Sequence, residues 1–268
     1  MIYDSSFEDA LDYVSGTEWN GVVPDIGVPE LSPEKTTFYE RMQLRQRSHE
    51  LGIEWGLHAP GDDVSLFTTY LPIQQAVLDY FRDVIDFARD LCETRANIVV
   101  HAGTPPSFRQ AAQVSDEFFD SRRDYYLSVL CENLSALIAH ARDNANIVLE
   151  NHAWTPVVVE AIDRMVPRGL KLCLDIPKLY DPRLREADWA VFKKHKDAIE
   201  VVHVHDRNDL YGHHQIVGNG SINFERSIHL LSELSHPAMY VFEVRPREAA
   251  EKSLINFGRI LDSLAIEL

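Results

Sequence analysis

Short apolar runs alternate along the chain with longer stretches in which apolar residues recur at helical spacing. The short runs are rich in β-branched residues and too short for helices, which is typical of strands buried on both faces of a parallel sheet. These runs are Ile53–Leu57, Ile98–Val100, Ile147–Leu149, Leu170–Leu174, Ile199–Val202 and Met239–Phe242. The alternation indicates successive βα units. We therefore predict an α/β fold, a (β/α)8 TIM barrel, in a single domain spanning residues 1–268.

The beginning of the chain is harder to fit to eight strands. Gly21–Asp25 fits the second strand, with imperfect pairing because Pro24 lacks an N–H group. A first strand would precede the predicted helix Phe7–Val14, which leaves only Met1–Tyr3 to form it. We therefore expect the first strand to be stunted or missing.

Charge and composition narrow the class of protein. The 268 residues include 26 Lys and Arg against 42 Asp and Glu, a net charge of −16. A nucleic-acid-binding protein is therefore not expected, because such binding depends on basic surfaces. The sequence lacks an apolar stretch of about 20 residues and a signal-peptide pattern, so we expect no membrane association. Three cysteines without a C-x-x-C pair are typical of reduced thiols, and we expect a cytoplasmic protein.

The residues that end the predicted strands carry the chemistry. Each apolar run is followed by a side chain able to bind a divalent cation: His58, His101, Glu150, Asp175, His203 and Glu243. The carboxyl ends of the strands of an α/β barrel meet at one mouth, where active sites lie. One polar residue at a strand end needs no explanation beyond contact with water, but six in succession favour a shared metal site. Imidazole with carboxylate suits Mn²⁺, Zn²⁺, Co²⁺ or Fe²⁺.

The same positions carry a family resemblance. The motifs are His58-Ala59-Pro60, Val100-His101-Ala102-Gly103, Leu149-Glu150-Asn151, Leu174-Asp175, His203-Val204-His205-Asp206, Gly218-Asn219-Gly220-Ser221-Ile222 and Phe242-Glu243-Val244-Arg245-Pro246. In this order the set resembles the xylose isomerase-like TIM barrel superfamily, over about residues 50–260. That superfamily includes sugar phosphate isomerases and epimerases, ketose 3-epimerases and, more distantly, endonuclease IV.

The resemblance implies specific roles. By position, the metal ligands of the epimerases fall on Glu150, Asp175, His203 and Glu243, and the two glutamates would also act as acid and base on opposite faces of a sugar. His58 and His101 match residues that complete a second metal site in endonuclease IV, so they would bind a second ion or the substrate.

The sequence also departs from the relatives. Lys178 stands where endonuclease IV and the ketose 3-epimerases typically place a histidine. The Asp-x-His pair expected before the Gly218 turn reads Gly212-His213-His214, so His214 remains as a second-metal or substrate residue while the aspartate is lost. A third metal ion of the kind that cleaves phosphodiesters is therefore not expected.

Other residues near the motifs are candidates for substrate binding. Lys178 would pair with Asp175 or Glu150, or bind an anionic group of the substrate. Further candidate contacts are His205, Arg245 and Asn151. We expect Asp206 and Arg207 to form a loop ion pair.

The function that we predict is a divalent-metal-dependent isomerase or epimerase of a small sugar, sugar phosphate or polyol, which uses enediolate chemistry. A metal-dependent hydrolase or lyase at the same site is the first alternative, and a barrel that binds a ligand without turnover is the second. A homodimer is compatible with the sequence, which does not specify one.

Overall fold

The computed structural model describes residues 6–61, 64–103, 122–152, 154–180 and 185–268. The chain forms two compact units, Tyr3–Leu170 and Lys171–Leu268. Each unit alternates parallel strands with helices, as the hydrophobic pattern predicts. The single domain over residues 1–268 stays a prediction, and the segment Met1–Tyr3, proposed as the stunted first strand, lies outside the described residues.

In the Tyr3–Leu170 unit, five helices and five strands are described. The helices are α1 (Phe7–Val14), α2 (Phe38–Leu51), α3 (Leu71–Leu91), α4 (Arg123–Ala141) and α5 (Pro156–Met165). The strands are β1 (Gly21–Val22), β2 (Glu54–Trp55), β3 (Leu57–His58), β4 (Ala96–Val100) and β5 (Ala145–Glu150). Short 3₁₀ turns cover Pro29–Leu31, Pro33–Lys35 and Val166–Arg168.

Local sequence signals fix where several helices begin. The side chain of Ser6 caps α1, and that of Thr155 caps α5 just ahead of Pro156. Thr37 and Glu40 form a capping box at the start of α2, and Gly52, with a φ of 66°, caps its C-terminal end. These caps satisfy backbone N–H groups that the first helical turn leaves without partners.

The pairing of the strands corrects one prediction. Ile53–Leu57 is not one strand, because the chain changes neighbours at Gly56. Trp55 on β2 pairs with Val22 on β1, whereas Leu57 on β3 pairs with Ile98 on β4. Beyond this point β4 and β5 run parallel in an unbroken register from Ala96–Ala145 to Val100–Leu149.

The imperfect pairing expected at Pro24 is confirmed. Strand β1 stops at Val22, and further along this segment the described pairing with β3 is an isolated bridge between Asp25 and His58. Pro24 contributes its carbonyl oxygen, which accepts a hydrogen bond from the N–H of His58 at 3.0 Å. The backbone of His58 thus pairs with Val99 of β4 on one side and with Asp25 on the other.

The Lys171–Leu268 unit contains three parallel strands and a hairpin. Its strands are β6 (Lys171–Asp175), β7 (Ile199–Val204), β8 (Asp206–Asn208), β9 (Gly212–Gln215) and β10 (Met239–Phe242). Its helices are α6 (Arg185–Lys194), α7 (Glu225–Leu231) and α8 (Arg247–Leu264), with 3₁₀ turns over Pro177–Tyr180 and Lys196–Ala198.

The register of these strands sets the positions of the polar residues. Strand β6 pairs with β7 so that Asp175 lies opposite His203, after a register shift between Leu172 and Cys173. Strand β10 pairs with β7 so that Phe242 lies opposite Val204, and Glu243 follows directly. His203 does not end its strand as we predicted, since β7 continues through Val204.

The antiparallel pair of β8 and β9 was not predicted from the sequence. Asp206 lies opposite Gln215, and Asn208 lies opposite Gly212, with an irregularity between the two pairs. Among the helices of the described residues, none is both long and apolar enough to cross a bilayer.

Candidate active site and metal-binding residues

Glu150 is the centre of the polar cluster in the Tyr3–Leu170 unit. It is the last residue of β5, and only 1% of its surface is exposed. Its Oε2 atom lies 3.2 Å from Nε2 of His58 and 2.7 Å from Nε2 of His101. The two histidines reach it because β4 pairs with β5, and β3 pairs with the other side of β4. Three of the predicted strand-end residues are thus brought together.

The protonation of His58 bears on what this cluster can hold. Its Nδ1 atom lies 3.0 Å from the carbonyl oxygen of Ala59, which can only accept, so Nδ1 carries a proton. The Nε2 atom of a neutral ring would then direct a lone pair at the Glu150 carboxylate. This arrangement is unfavourable unless the ring or the carboxyl group carries a further proton or a cation lies between the two atoms.

His101 is held by close packing on both sides. Its ring stacks on His152 with centroids 4.4 Å apart and planes at 4°. On Gly61, a Cβ atom would lie 2.0 Å from Nδ1 of His101, so only glycine fits at that position. Nδ1 of His101 is buried without a hydrogen-bond partner among the described residues, so this ring is oriented by its packing and by the contact of its Nε2 with Glu150.

A second cluster occupies the ends of the parallel strands in the Lys171–Leu268 unit. Asp175 and His203 are fully buried, and Glu243 is 5% exposed. Nδ1 of His203 lies 3.1 Å from Oε1 of Glu243. That oxygen accepts no hydrogen bond of good geometry from the described residues. A buried carboxylate in this condition is costly unless a cation compensates it.

Lys178 engages both oxygens of Asp175. Its backbone N–H donates to Oδ1 at 3.2 Å, and its ammonium lies 2.9 Å from Oδ2. The 3₁₀ turn Pro177–Tyr180, which follows β6, makes both contacts feasible. The predicted pairing of Lys178 with Asp175 is confirmed.

His205 faces both carboxylates of this cluster. Nδ1 of His205 lies 3.0 Å from the N–H of His214 and 3.2 Å from the carbonyl oxygen of Asp206, and the other ring nitrogen, Nε2, faces the carboxylates. That atom lies 3.5 Å from Oδ2 of Asp175 and 3.7 Å from Oε2 of Glu243. Burial disfavours a charged ring, but the two carboxylates outweigh it and raise the pKa of His205. His205 therefore presents positive character to the carboxylates.

His214 connects the hairpin to Glu243. Its ring stacks on His205 at 4.4 Å, and its Nδ1 lies 3.0 Å from the backbone oxygen of Glu243. The φ angle of His214 is 60°, in the left-handed region that non-glycine residues rarely adopt. Burial lowers the pKa of His214, and it also lowers that of the neighbouring His213. Nδ1 of His214 is thus a donor, which leaves Nε2 as the ring atom available to a cation or substrate.

Asp206 is the residue that sequence reasoning misjudged. Its carboxylate is 1% exposed and accepts four backbone N–H groups. The donors are Arg207 (2.7 Å), Gly218 (2.9 Å), Gly220 (3.0 Å) and Ile222 (3.1 Å). In the described structure Asp206 and Arg207 therefore meet through the backbone N–H, and not through the guanidinium that we predicted. The backbone of the turn around Gly218 and Gly220 therefore binds the carboxylate of Asp206.

Two other candidate residues lie beside the clusters. Asn151 is 1% exposed and follows Glu150 directly. Arg245 is exposed and precedes Pro246, to which it is joined by a cis peptide bond. Their proposed contacts with substrate stay predictions.

Both clusters have the donor atoms that a divalent cation requires. In one, His58, His101 and Glu150 each offer an atom within 4.8 Å of the others. In the other, His205, His214 and Glu243 do so at the same spacing. Imidazole nitrogen mixed with carboxylate oxygen is a set that suits Mn²⁺, Fe²⁺, Co²⁺ and Zn²⁺.

The sequence matches a known family along most of its length. Residues 11–260 match the model of the xylose isomerase-like TIM barrel family. The chain belongs to this family. Membership confirms the resemblance drawn from the strand-end motifs and the predicted α/β barrel class. No curated protein matches the chain.

Several solved structures have a fold similar to that of this chain. A D-tagatose 3-epimerase-like protein has a TM-score of 0.72 and 21% identity, with 97% of each chain covered. The D-psicose 3-epimerase of Clostridium cellulolyticum H10 has a TM-score of 0.69 and 10% identity, with 96% of each chain covered. The 3-keto-D-glucoside 4-epimerase YcjR of E. coli has a TM-score of 0.66 and 14% identity, covering 96% of this chain and 94% of its own. At these identities the likeness of this xylose isomerase-like chain to them is one of fold.

Proposed function

We propose that the protein is a divalent-metal-dependent isomerase or epimerase of a small sugar, sugar phosphate or polyol. Glu150, Asp175, His203 and Glu243 are the proposed metal ligands, and the two glutamates are also the proposed acid and base. Family membership supports the proposal, as do the epimerases among the solved structures with this fold.

One observation carries the metal part of the proposal. Glu243 is buried at the end of β10 beside His203 and His205, yet its Oε1 atom receives no well-formed hydrogen bond within the described residues. The imidazole nitrogens stand 3.1 to 3.7 Å from its oxygens, as separate ligand atoms around a common ion would. Since an uncompensated buried carboxylate is unfavourable, these positions are best explained as a site for a cation.

The donor set defines what the cation would contribute. Mixed imidazole and carboxylate ligands fit Mn²⁺, Zn²⁺, Co²⁺ or Fe²⁺ better than Ca²⁺, which prefers oxygen alone. When bound, such an ion polarises a carbonyl group and an adjacent hydroxyl, which lowers the cost of forming an enediolate.

The side chains of Glu150 and Glu243 would transfer the proton. In the proposed reaction one glutamate takes the proton from the carbon beside the carbonyl group, and the other returns a proton to the opposite face of the same carbon. His205 presents positive character to Glu243 and Asp175, from which its Nε2 lies 3.7 and 3.5 Å. Asn151 and Arg245 are proposed to contact hydroxyl groups of the substrate.

A second cation is the most direct alternative, and the geometry of His58 favours it. With Nδ1 occupied by the Ala59 carbonyl, Nε2 of His58 and Nε2 of His101 converge on Glu150. A metal held there would give the dinuclear centre that a hydrolase or lyase uses to activate water. Metal stoichiometry separates the two functions, because the isomerase needs one ion for each chain.

The test combines metal analysis with proton exchange. The protein would be stripped with EDTA, reloaded with Mn²⁺ or Co²⁺, and incubated in D₂O with a panel of ketoses and ketose phosphates. We expect deuterium at the carbon next to the carbonyl of one substrate, together with its epimer or isomer. Glu150→Gln and Glu243→Gln should both abolish exchange, whereas the exposed-surface control Glu186→Gln should not. Full exchange in either of the first two variants would contradict the proposal.

A further inference from the structure

The backbone oxygen of Glu150 accepts hydrogen bonds from two donors of the Tyr3–Leu170 unit. The N–H of His152 donates to it at 2.8 Å, and Nε1 of Trp154 donates to it at 2.7 Å. Trp154 is 4% exposed, so its ring lies inside the protein and is not available to stack on a sugar. The indole N–H thus binds the chain at the residue whose carboxylate is the proposed metal ligand and proton carrier.

The start of α5 fixes the position of Trp154. The next residue, Thr155, caps this helix by accepting the N–H of Val158, and Pro156 lies in its first turn. A capping residue followed by proline restricts the backbone at this point. The indole therefore reaches the Glu150 oxygen from a rigid helix start.

The ring of His152, between these two residues, covers the ring of His101. The centroids are 4.4 Å apart, and the planes are nearly parallel, at 4°. His152 is an exposed residue. The energy of one stacked pair is comparable to the conformational entropy that an exposed side chain loses when it is ordered. The position of His152 therefore depends on the backbone that carries it.

The angle of the His101 ring matters because its Nε2 lies 2.7 Å from Oε2 of Glu150. The ring of His58 stands nearly perpendicular to that of His101, with centroids 5.2 Å apart, and Nδ1 of His101 adjoins Gly61. His152 adds the contact on the ring face. Groups that lie behind the residues of a metal site set the direction in which those residues point. A tilt of His101 would therefore disturb the carboxylate that it contacts.

We propose that Trp154 is a positioning residue for the proposed active site. Through the backbone oxygen of Glu150 it fixes the turn that keeps His152 on His101, and His101 in turn orients the Glu150 carboxylate. Neither Trp154 nor His152 would touch the ion or the reacting carbon. The inference rests on the proposed function, in which this carboxylate binds the ion and transfers the proton.

The first arm of the test measures the geometry of the metal-free protein by crystallography. Trp154→Phe removes the indole N–H and keeps an aromatic ring. Trp55→Phe is the matched control, because Trp55 is also buried and its Nε1 has no hydrogen-bond partner among the described residues. The rings of His152 and His101 should be more than about 7 Å apart in Trp154→Phe and still stacked in Trp55→Phe. An intact stack in Trp154→Phe would overturn the proposal.

The second arm measures the consequence for the site, as the Kd of Co²⁺ in a calorimetric titration and as kcat and KM of the deuterium exchange. Trp154→Phe and His152→Ala should each raise the Kd and lower kcat by about tenfold, with a smaller change in KM. His152→Phe should restore most of both values, because a phenyl ring can also stack on His101. Trp55→Phe should match the wild-type protein.

The variants of His152 keep the proposal testable if Trp154→Phe does not fold, since an exposed side chain contributes little to the core. Wild-type values of Kd and kcat in His152→Ala would then overturn it. The same values in a folded Trp154→Phe would also overturn it, even with the stack lost.

The double variant Trp154→Phe/His152→Ala tests whether the two residues act through the same contact. Its loss should equal that of the larger single variant, because both substitutions remove one stack. Losses that multiply would overturn the proposal. If the wild-type protein neither binds Co²⁺ nor exchanges a proton, the proposed function fails, and the crystal structures decide by themselves whether Trp154 sets the stack.

Discussion

Two buried carboxylates in the Lys171–Leu268 unit have opposite surroundings. Asp206 is 1% exposed and accepts four backbone N–H groups at 2.7 to 3.1 Å. Glu243 is 5% exposed and faces imidazole nitrogens at 3.1 to 3.8 Å, with Oε1 lacking a hydrogen bond in the described structure. The charge of Asp206 is compensated by backbone N–H groups, whereas the charge of Glu243 is the one that we propose a bound cation compensates.

We propose that this difference separates a structural carboxylate, Asp206, from a functional one, Glu243. Hydrogen bonds from fixed backbone groups stabilise a charge in the folded protein and hold the chain around it. Side-chain nitrogens that surround a carboxylate without binding it closely leave room for another ion. Burial alone, which is nearly equal for the two residues, does not distinguish them.

Asp206→Asn should show the largest loss of stability. The amide group would turn a donor toward backbone N–H groups that now have an acceptor, leaving at least one buried and unsatisfied. We expect the free energy of unfolding to fall by about 3 kcal/mol or more, measured by urea denaturation of the metal-free protein. A loss below about 1 kcal/mol would remove the contrast with Glu243.

Gly220→Ala should weaken the same carboxylate site by a smaller amount. The new Cβ atom would lie 2.1 Å from Oδ1 of Asp206 and 2.3 Å from the backbone oxygen of Arg207. The turn must move to relieve these contacts, at a cost of about 1–3 kcal/mol in unfolding free energy. Gly258→Ala, in α8, is the control. A Cβ atom at this position would meet no other atom within 4 Å, and alanine should stabilise the helix slightly.

Glu243→Gln should have the smallest effect on the stability of the metal-free protein. Removing a buried charge that has little compensation is expected to leave the unfolding free energy unchanged or to raise it by about 1 kcal/mol. Urea denaturation of the metal-free variant measures this change in unfolding free energy. A loss as large as that of Asp206→Asn would show that Glu243 is a structural carboxylate too.

The sequence was a good guide to the elements and to the residues at the strand ends. Parallel strands that are buried on both faces leave a strong apolar signal, and the residue that breaks this signal marks the end of the strand. His58, His101 and Glu150 were found in this way, and the register of β6 and β7 places Asp175 opposite His203. The change of neighbours at Gly56 left no such signal, because it depends on which strands pair.

The role of Asp206 could not be read from the sequence for a related reason. Its four donors are backbone N–H groups, three of them 12 to 16 residues further along the chain, and any residue type can supply such a group. The pattern of Gly218 and Gly220 was visible, but not the carboxylate that fills the turn. Likewise, the contact between Nδ1 of His205 and the N–H of His214 depends on the fold of the hairpin.

The most direct test of the account is the stabilisation that a metal ion gives to each variant. Mn²⁺ at about 100 times its dissociation constant should raise the unfolding free energy of the wild-type protein by about 2.7 kcal/mol. Glu200→Gln also removes one negative charge, on β7, and its unfolding free energy should rise by as much. That of Glu243→Gln should rise by almost nothing at the same Mn²⁺ concentration. Equal gains in all three proteins would show that Glu243 does not bind the ion and would contradict the account.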